Sequence, residues 1–254
     1  AGVAAAAELA RAGLGVELAE QRAALGGAYY RQPAGRAGIA KVPGRRARHW
    51  SQLEDELRRA AVEPRLRHVF LGIDTDGLAL LDDRAAGRVR TVRTRAVVVA
   101  VGAVERVLPR PGWQLDGVMT AGGLQMLLKE TGEVPPGEIV VAGNGPLTVA
   151  LSADLARIGR APVAVIEAAD PFGRPAAALR LAAFPDLVAE AISHVIRMSS
   201  AGAPWLRASR LASIAREDKR LCAEVEDRHG RIRRIHADIV ALHDGIRPND
   251  FGLP

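Results

Sequence analysis

Residues 137–148 read Gly-Glu-Ile-Val-Val-Ala-Gly-Asn-Gly-Pro-Leu-Thr, and residues 162–167 read Pro-Val-Ala-Val-Ile-Glu. An apolar run leads into a Gly-x-Gly turn, a helical stretch follows, and a second apolar run ends in an acid. This is the layout of a dinucleotide-binding βαβ unit. Gly143 and Gly145 let backbone N–H groups approach a pyrophosphate, and the helix that follows adds a partial positive charge at its start. Asn144, Pro146 and Leu147 complete the loop. Glu167 stands at about the separation expected for an acid that binds a ribose 2′-hydroxyl and disfavours a 2′-phosphate. Thr148 takes the place of the third glycine, which normally permits close helix–strand packing. A β-branched residue there is expected to push the helix outward or to change the ligand's pose.

The chain carries this device twice. Ala7-Glu8-Leu9-Ala10-Arg11-Ala12-Gly13 resembles Ala153-Asp154-Leu155-Ala156-Arg157-Ile158-Gly159. In that register Gly2 falls on Thr148, and Glu20 falls one residue short of Glu167. Gly2 thus reads as the packing glycine of a first unit, and Glu20, with Gln21 beside it, as its ribose ligand. The first strand and first two glycines of that unit would lie upstream of Ala1, so the chain is expected to begin inside a longer protein. Gly26-Gly27 reads as a tight turn that can bring backbone close to a cofactor.

The remaining pattern is that of an α/β protein. A helix is predicted over 3–12 with Gly13 as its cap, and a short strand over 16–19. Ser51 with Glu54 predicts a capping box opening a helix over 51–61. Strands are predicted over 69–73, 78–81, 89–94 and, as a buried run, 96–101. Residues 109–117 and 132–137 are Pro/Gly-rich connectors flanking a helix near 121–130, and 35–44 and 171–175 are loops. A helix over 186–198, strands over 206–214 and 221–226, a His229-Gly230 hairpin turn and a final buried strand over 239–242 complete the reading.

With 254 residues, 48% hydrophobic and 25% charged, the chain can bury a substantial core. No apolar run is long enough for a transmembrane helix. The net charge of +6 rests on scattered arginines, the only lysines being Lys41, Lys129 and Lys219. No zinc-finger spacing or aromatic-glycine motif accompanies it, so no nucleic-acid partner is expected. Cys222 is the sole cysteine. This excludes an intrachain disulfide or a redox Cys-x-x-Cys pair and fits a reducing, cytoplasmic compartment, with membrane association only peripheral and through a complex. No metal site is expected. No histidine has nucleophile or metal-ligand spacing, and His243 beside Asp244 reads as a satisfied structural residue.

Four segments carry a family resemblance. Gly26-Gly27-Ala28-Tyr29-Tyr30-Arg31-Gln32 resembles a Gly-Gly-Gln-x-Tyr-Arg motif. Ala100-Val101-Gly102-Ala103-Val104-Glu105-Arg106 resembles Ala-Thr-Gly-Ala-x-Glu-Arg, with Val101 replacing the threonine. Pro111-Gly112-Trp113 with Gly117-Val118-Met119-Thr120-Ala121-Gly122 and the turn Gly143-Asn144-Gly145-Pro146-Leu147 match further motifs. The chain resembles the FAD/NAD(P)-binding, pyridine-nucleotide-disulfide-reductase-like oxidoreductases. The resemblance is to the subgroup that contains one of the hydrogen cyanide synthase subunits (HcnB) and the alpha subunits of opine oxidases and D-hydroxyproline or proline dehydrogenases.

The resemblance implies two Rossmann-like domains, the second inserted in the first. Residues 1–115 plus 236–254 would form the FAD-binding domain and 116–235 an NAD-like domain. Gly102 and Gly245 join the cofactor-binding residues. FAD is the expected cofactor, with NAD(P) or another adenine nucleotide in the second domain. The expected partners are a small-molecule substrate and a second flavoprotein subunit. Three functions follow: an FAD-dependent oxidoreductase, or its electron-transfer subunit, that acts on an amine, imino acid or opine-like substrate; a non-catalytic nucleotide-binding scaffold subunit; or an NADH-dependent flavin reductase feeding a partner protein. No catalytic acid or base is identifiable.

Overall fold

The computed structural model describes residues 1–33, 45–170, 173 and 183–250. The expected loop 35–44 and most of 171–175 lie outside them. The chain divides into two compact units. Unit 1 comprises 1–104, 129–132 and 248–254; unit 2 comprises 105–128 and 133–247.

Unit 1 opens with α1 (Gly2–Arg11) and β1 (Leu18–Glu20), followed by α2 (Arg45–Arg59) and β2 (Pro64–Leu66). β1 and β2 pair in parallel. Ala6, Ala7 and Leu57 form a small core, with Val3, Val16, Leu18 and Leu25 packed against it. β3 (His68–Ile73), β4 (Leu78–Asp83) and β5 (Arg88–Arg93) make an antiparallel sheet.

Two expectations fail in this unit. α2 begins at Arg45, so Ser51 lies inside the helix and caps nothing; buried Trp50 anchors the turn ahead of it. The run 96–101 forms no strand. No strand runs alongside it among the described residues, and Val97, Val98, Val99 and Val101 are exposed. An apolar run becomes a strand only where neighbours satisfy its backbone.

β6 (Ala103–Glu105) and β15 (Ile246–Pro248) pair with each other where the chain passes between the units. Unit 2 then contains β7 (Val118–Thr120), α3 (Ala121–Thr131, its last turn grouped with unit 1), β8 (Ile139–Gly143), α4 (Pro146–Arg157) and β9 (Ala164–Glu167). α5 (Pro185–Ser200) and β10 (Trp205–Arg207) follow, then β11 (Ser209–Glu217), β12 (Arg220–Asp227), β13 (Ile232–Ala237) and β14 (Ile239–His243).

Five strands form a parallel sheet in the order β10-β9-β8-β14-β7. One face carries α4 and α5, with Leu151, Leu155 and Met198 fully buried. The other face packs on the antiparallel sheet β11-β12-β13. Val140, Ala142, Ile166, Val240 and Leu242 meet Leu211, Ile214, Leu221, Ala223 and Val225 there. Strands covered on both faces are apolar throughout, which is why Ile139–Ala142 and Ile239–Leu242 read as unbroken runs.

The expected strand over 206–214 is two strands. Ala208 sits at φ 49° between them, which turns the chain from parallel pairing with β9 to antiparallel pairing with β12. Arg67, at φ 59° between β2 and β3, does the same in unit 1. The internal repeat therefore extends beyond the glycine turns. The domain boundaries also shift. Residues 236–247, expected with the first domain, belong to unit 2, because β14 is held between β8 and β7. Unit 2 also begins at 105 rather than 116.

A Cβ on Gly143 would overlap the carbonyl group of His243, its carbon at 2.6 Å. Gly143→Ala is expected to force β8 and β14 apart at their ends and to destabilise by about 1–3 kcal/mol, the cost of overpacking a close-fitted site. A denaturant melt checks this.

Candidate functional site

The carboxyl ends of parallel strands are where α/β sheets bind ligands. In unit 2 these ends are Thr120, Gly143, Glu167 and His243. β8 delivers the chain to the turn, and Gly145 (φ 111°) adopts a backbone conformation that favours glycine. Pro146 then opens α4 at the position where its missing N–H costs nothing. The Asn144 N–H donates to the His243 carbonyl at 2.9 Å, tying the turn to β14.

Glu167 is buried and turned into this loop. Its Oε1 accepts the Gly145 N–H at 2.8 Å, and its Oε2 lies 2.6 Å from the Thr148 hydroxyl. That hydroxyl has the Gly145 carbonyl as its other neighbour, at 2.7 Å. Burial pushes the Glu167 carboxyl above its ordinary range, against the pull of Thr148, the Gly145 N–H and His243. Thr148 does not displace α4: it is fully buried, and its hydroxyl serves as a clasp between helix and strand.

Glu105 and His243 form a second cluster in unit 2. His243 Nδ1 lies 3.1 Å from Glu105 Oε1. Glu105 Oε2 accepts the Gly122 N–H at 2.8 Å and the Gly123 N–H at 3.3 Å, at the start of α3. Burial raises the Glu105 carboxyl, but hydrogen bonds from His243, Thr120 and Gly122 outweigh it and leave the group below the ordinary carboxylate range. Asp244 accepts the Leu108 N–H at 3.0 Å and pairs with Arg110.

Neither Glu105 nor Thr120 stands out as a site residue in the sequence, and His243 reads there as merely structural. The one available signal is position, since each lies in a segment that resembles a family motif or at the end of a buried run.

The unit 1 residues are placed as follows. Gly2 lies at the start of α1, where a Cβ would come within 3.3 Å of Ala100 Cβ and 3.8 Å of Leu18, a close packing position. Glu20 ends β1 and accepts the Arg22 N–H at 3.0 Å, and Gln21 follows it in an exposed bend. Gly26 (φ 119°) is crowded by the Tyr30 backbone, whereas Gly27 and Gly102 have nothing within 4 Å of a built Cβ. Tyr30 stacks on Trp50, and its hydroxyl lies 2.6 Å from His49 Nδ1. Gly245 lies in unit 2, in the turn after β14, where its carbonyl accepts the Arg106 N–H.

Among the described residues, one group has metal-ligand composition: Glu217, Cys222 and His236 on β11–β13, with ligand atoms within 4.8 Å of one another. Glu217 is already paired with Arg234 and with His236 at 2.9 Å, so its charge is neutralised within the protein. Burial, with Glu224 nearby, raises the Cys222 thiol, which disfavours the thiolate that a metal requires.

The acid pair makes opposite contributions to stability with pH. Glu105, depressed in the fold, contributes stability that is complete above the ordinary carboxylate range and is lost as pH falls through its folded pKa. Glu167, raised in the fold, contributes only at low pH, and that contribution is lost as pH rises through its folded pKa. Glu167→Gln is therefore expected to gain stability relative to the unsubstituted protein as pH rises from about 4 to 8, and Glu105→Gln to lose it; paired thermal melts across that range check both signs.

Known proteins share this arrangement. Hydrogen cyanide synthase subunit HcnB of Pseudomonas aeruginosa (strain PAO1) is 35% identical over 211 residues, covering 80% of this chain and 44% of its own length. The opine oxidase A-subunit of Agrobacterium tumefaciens (strain Ach5) is 48% identical over 88 residues, covering 34% of this chain and 18% of its own length. The chain thus spans less than half the length of these curated relatives. Among solved structures, T. acidophilum thioredoxin reductase superposes over 99% of this chain and 76% of its own, with a TM-score of 0.60 and 14% identity, a likeness of fold. The family signature described as pyridine nucleotide-disulphide oxidoreductase matches residues 1–253, and the chain belongs to that family.

Proposed function

We propose that this chain is the dinucleotide-handling part of an FAD-dependent oxidoreductase that acts on an amine, imino acid or opine-like substrate together with a second flavoprotein subunit. The observation that carries the reading is the glycine turn at the carboxyl edge of a parallel sheet, with an acid at the end of the next strand, joined to the match with HcnB. The relatives' names supply the substrate class and the term subunit.

In unit 1, Gly2, Glu20, Gln21, Gly26, Gly27 and Gly102 are the residues that would hold FAD. The open space at Gly27 and Gly102 fits a close backbone approach. FAD supplies the chemistry, accepting a hydride equivalent and passing electrons onward. The protein's own contribution is to bind and orient. In unit 2, Gly145 has an open side, and the start of α4 offers a partial positive charge to a nicotinamide or other adenine nucleotide. Glu167 is placed for a ribose, and a 2′-phosphate would meet a buried carboxylate.

A scaffold reading, in which unit 2 binds a nucleotide without turnover, draws on one specific observation. Both Glu167 oxygens are already engaged by the protein.

The full-length protein is expected to show flavin absorption bands after reconstitution with FAD; absence of bound flavin overturns the oxidoreductase reading. Anaerobic stopped-flow mixing with NADH then separates the roles. Bleaching of the flavin supports the reductase arm, and an unreduced flavin that responds to an imino acid or amine supports the dehydrogenase arm.

A further inference from the structure

The turn in unit 2 is short of donors. The Asn144 N–H is spent on the His243 carbonyl and the Gly145 N–H on Glu167, while Pro146 has none. Of this loop, only the Leu147 N–H has no partner among the described residues. A diphosphate seated here needs another donor.

One side chain faces the gap. The His243 ring is buried, 6% exposed, and its Nδ1 is held by Glu105. Its Nε2 makes no hydrogen bond among the described residues, and, unlike the sealed Nε1 of Trp50 or Nε2 of His68, it is not closed off. It lies 4.0 Å from where a Cβ on Gly145 would stand, and nothing else comes that near. The open side of Gly145 looks onto this nitrogen.

We propose that His243 is the phosphate-contacting residue of this site: Nε2 donates to a phosphate oxygen of a bound nucleoside diphosphate moiety, and the protein takes up a proton as the site fills. This rests on the reading that unit 2 binds a nucleotide. Because Glu105 is ionised, Nδ1 carries its proton toward that carboxylate. A neutral ring then offers Nε2 only as an acceptor, which repels a phosphate oxygen. The imidazolium donates from both nitrogens, and anions on both sides favour it. The charged groups acting on the ring are Glu105 from β6 and Glu167 from β9. α4 has no acid in its first turn, β8 presents Gly143, and the start of α3 presents backbone N–H groups to Glu105.

The probes are ADP and adenosine, titrated calorimetrically into the full-length protein at about pH 8, where an ordinary imidazole is neutral. Two buffers of different ionisation enthalpy report the protons taken up. ADP binding by the unsubstituted protein is expected to take up protons. His243→Asn is expected to weaken ADP about 10- to 100-fold, as loss of a charged hydrogen bond does, and to leave adenosine within about twofold. His243→Gln, whose amide donates without titrating, is expected to bind ADP without proton uptake; a thermal melt confirms that each variant is folded. Equal weakening of ADP and adenosine, or ADP binding without proton uptake by the unsubstituted protein, overturns the proposal alone. Failure of the unsubstituted protein to bind either ligand overturns the nucleotide reading and the proposal with it.

Discussion

The close approach of the β8 and β14 ends governs unit 2. The His243 carbonyl occupies the space where any side chain at position 143 would sit, and the same carbonyl accepts the Asn144 N–H at 2.9 Å. Position 143 must therefore be glycine for packing reasons before any ligand is considered. The contact sets where the chain leaves the sheet, hence where α4 begins, hence where Thr148 meets Glu167. Four side chains at the sheet's carboxyl edge take their places from one backbone contact. Around it the sheet is sealed on both faces, with each fully buried Val, Leu or Ile contributing on the order of 1.5–3 kcal/mol.

The two glycines of the turn have different work. Gly143 is a matter of packing, whereas Gly145 is a matter of backbone conformation with free space beside it. A motif reading assigns both to the ligand. The acid at the end of β9 has a double part as well, since it cross-links the turn and α4 to the sheet while standing where a ribose acid belongs. A side chain already oriented by two partners loses little further freedom on binding, and this preorganisation also explains why its burial is tolerated.

Much of this is legible in the sequence, for identifiable reasons. Buried parallel strands and glycine turns write themselves into short, contiguous patterns, so β8, α4, β9 and β14 are readable, as is the duplication. What depends on distant partners is not. Sequence alone places β14 in the wrong unit because nothing local tells an apolar strand which sheet it joins. Residues 96–101 look like a buried strand, but a strand needs a neighbour to bond with. α2 extends upstream because Trp50 is buried, and a capping-box pattern carries no knowledge of that. The Glu105–His243 pair joins residues more than a hundred positions apart, and a carboxylate and an imidazole at that separation leave no mark in spacing.

The strand order β10-β9-β8-β14-β7 also bears on how the protein is made. β7 and β8 emerge first, yet neither pairs with the other; both wait for β14, far downstream. Until residue 243 has been synthesised, the sheet holds an open slot at its centre, flanked by two unsatisfied apolar strand edges. Local pairing can complete the β11–β13 meander first, but closure of the sheet is a long-range event of the slow kind. The nascent chain spends that interval with its most aggregation-prone surface uncovered, and the glycine turn cannot take its final shape before that strand arrives.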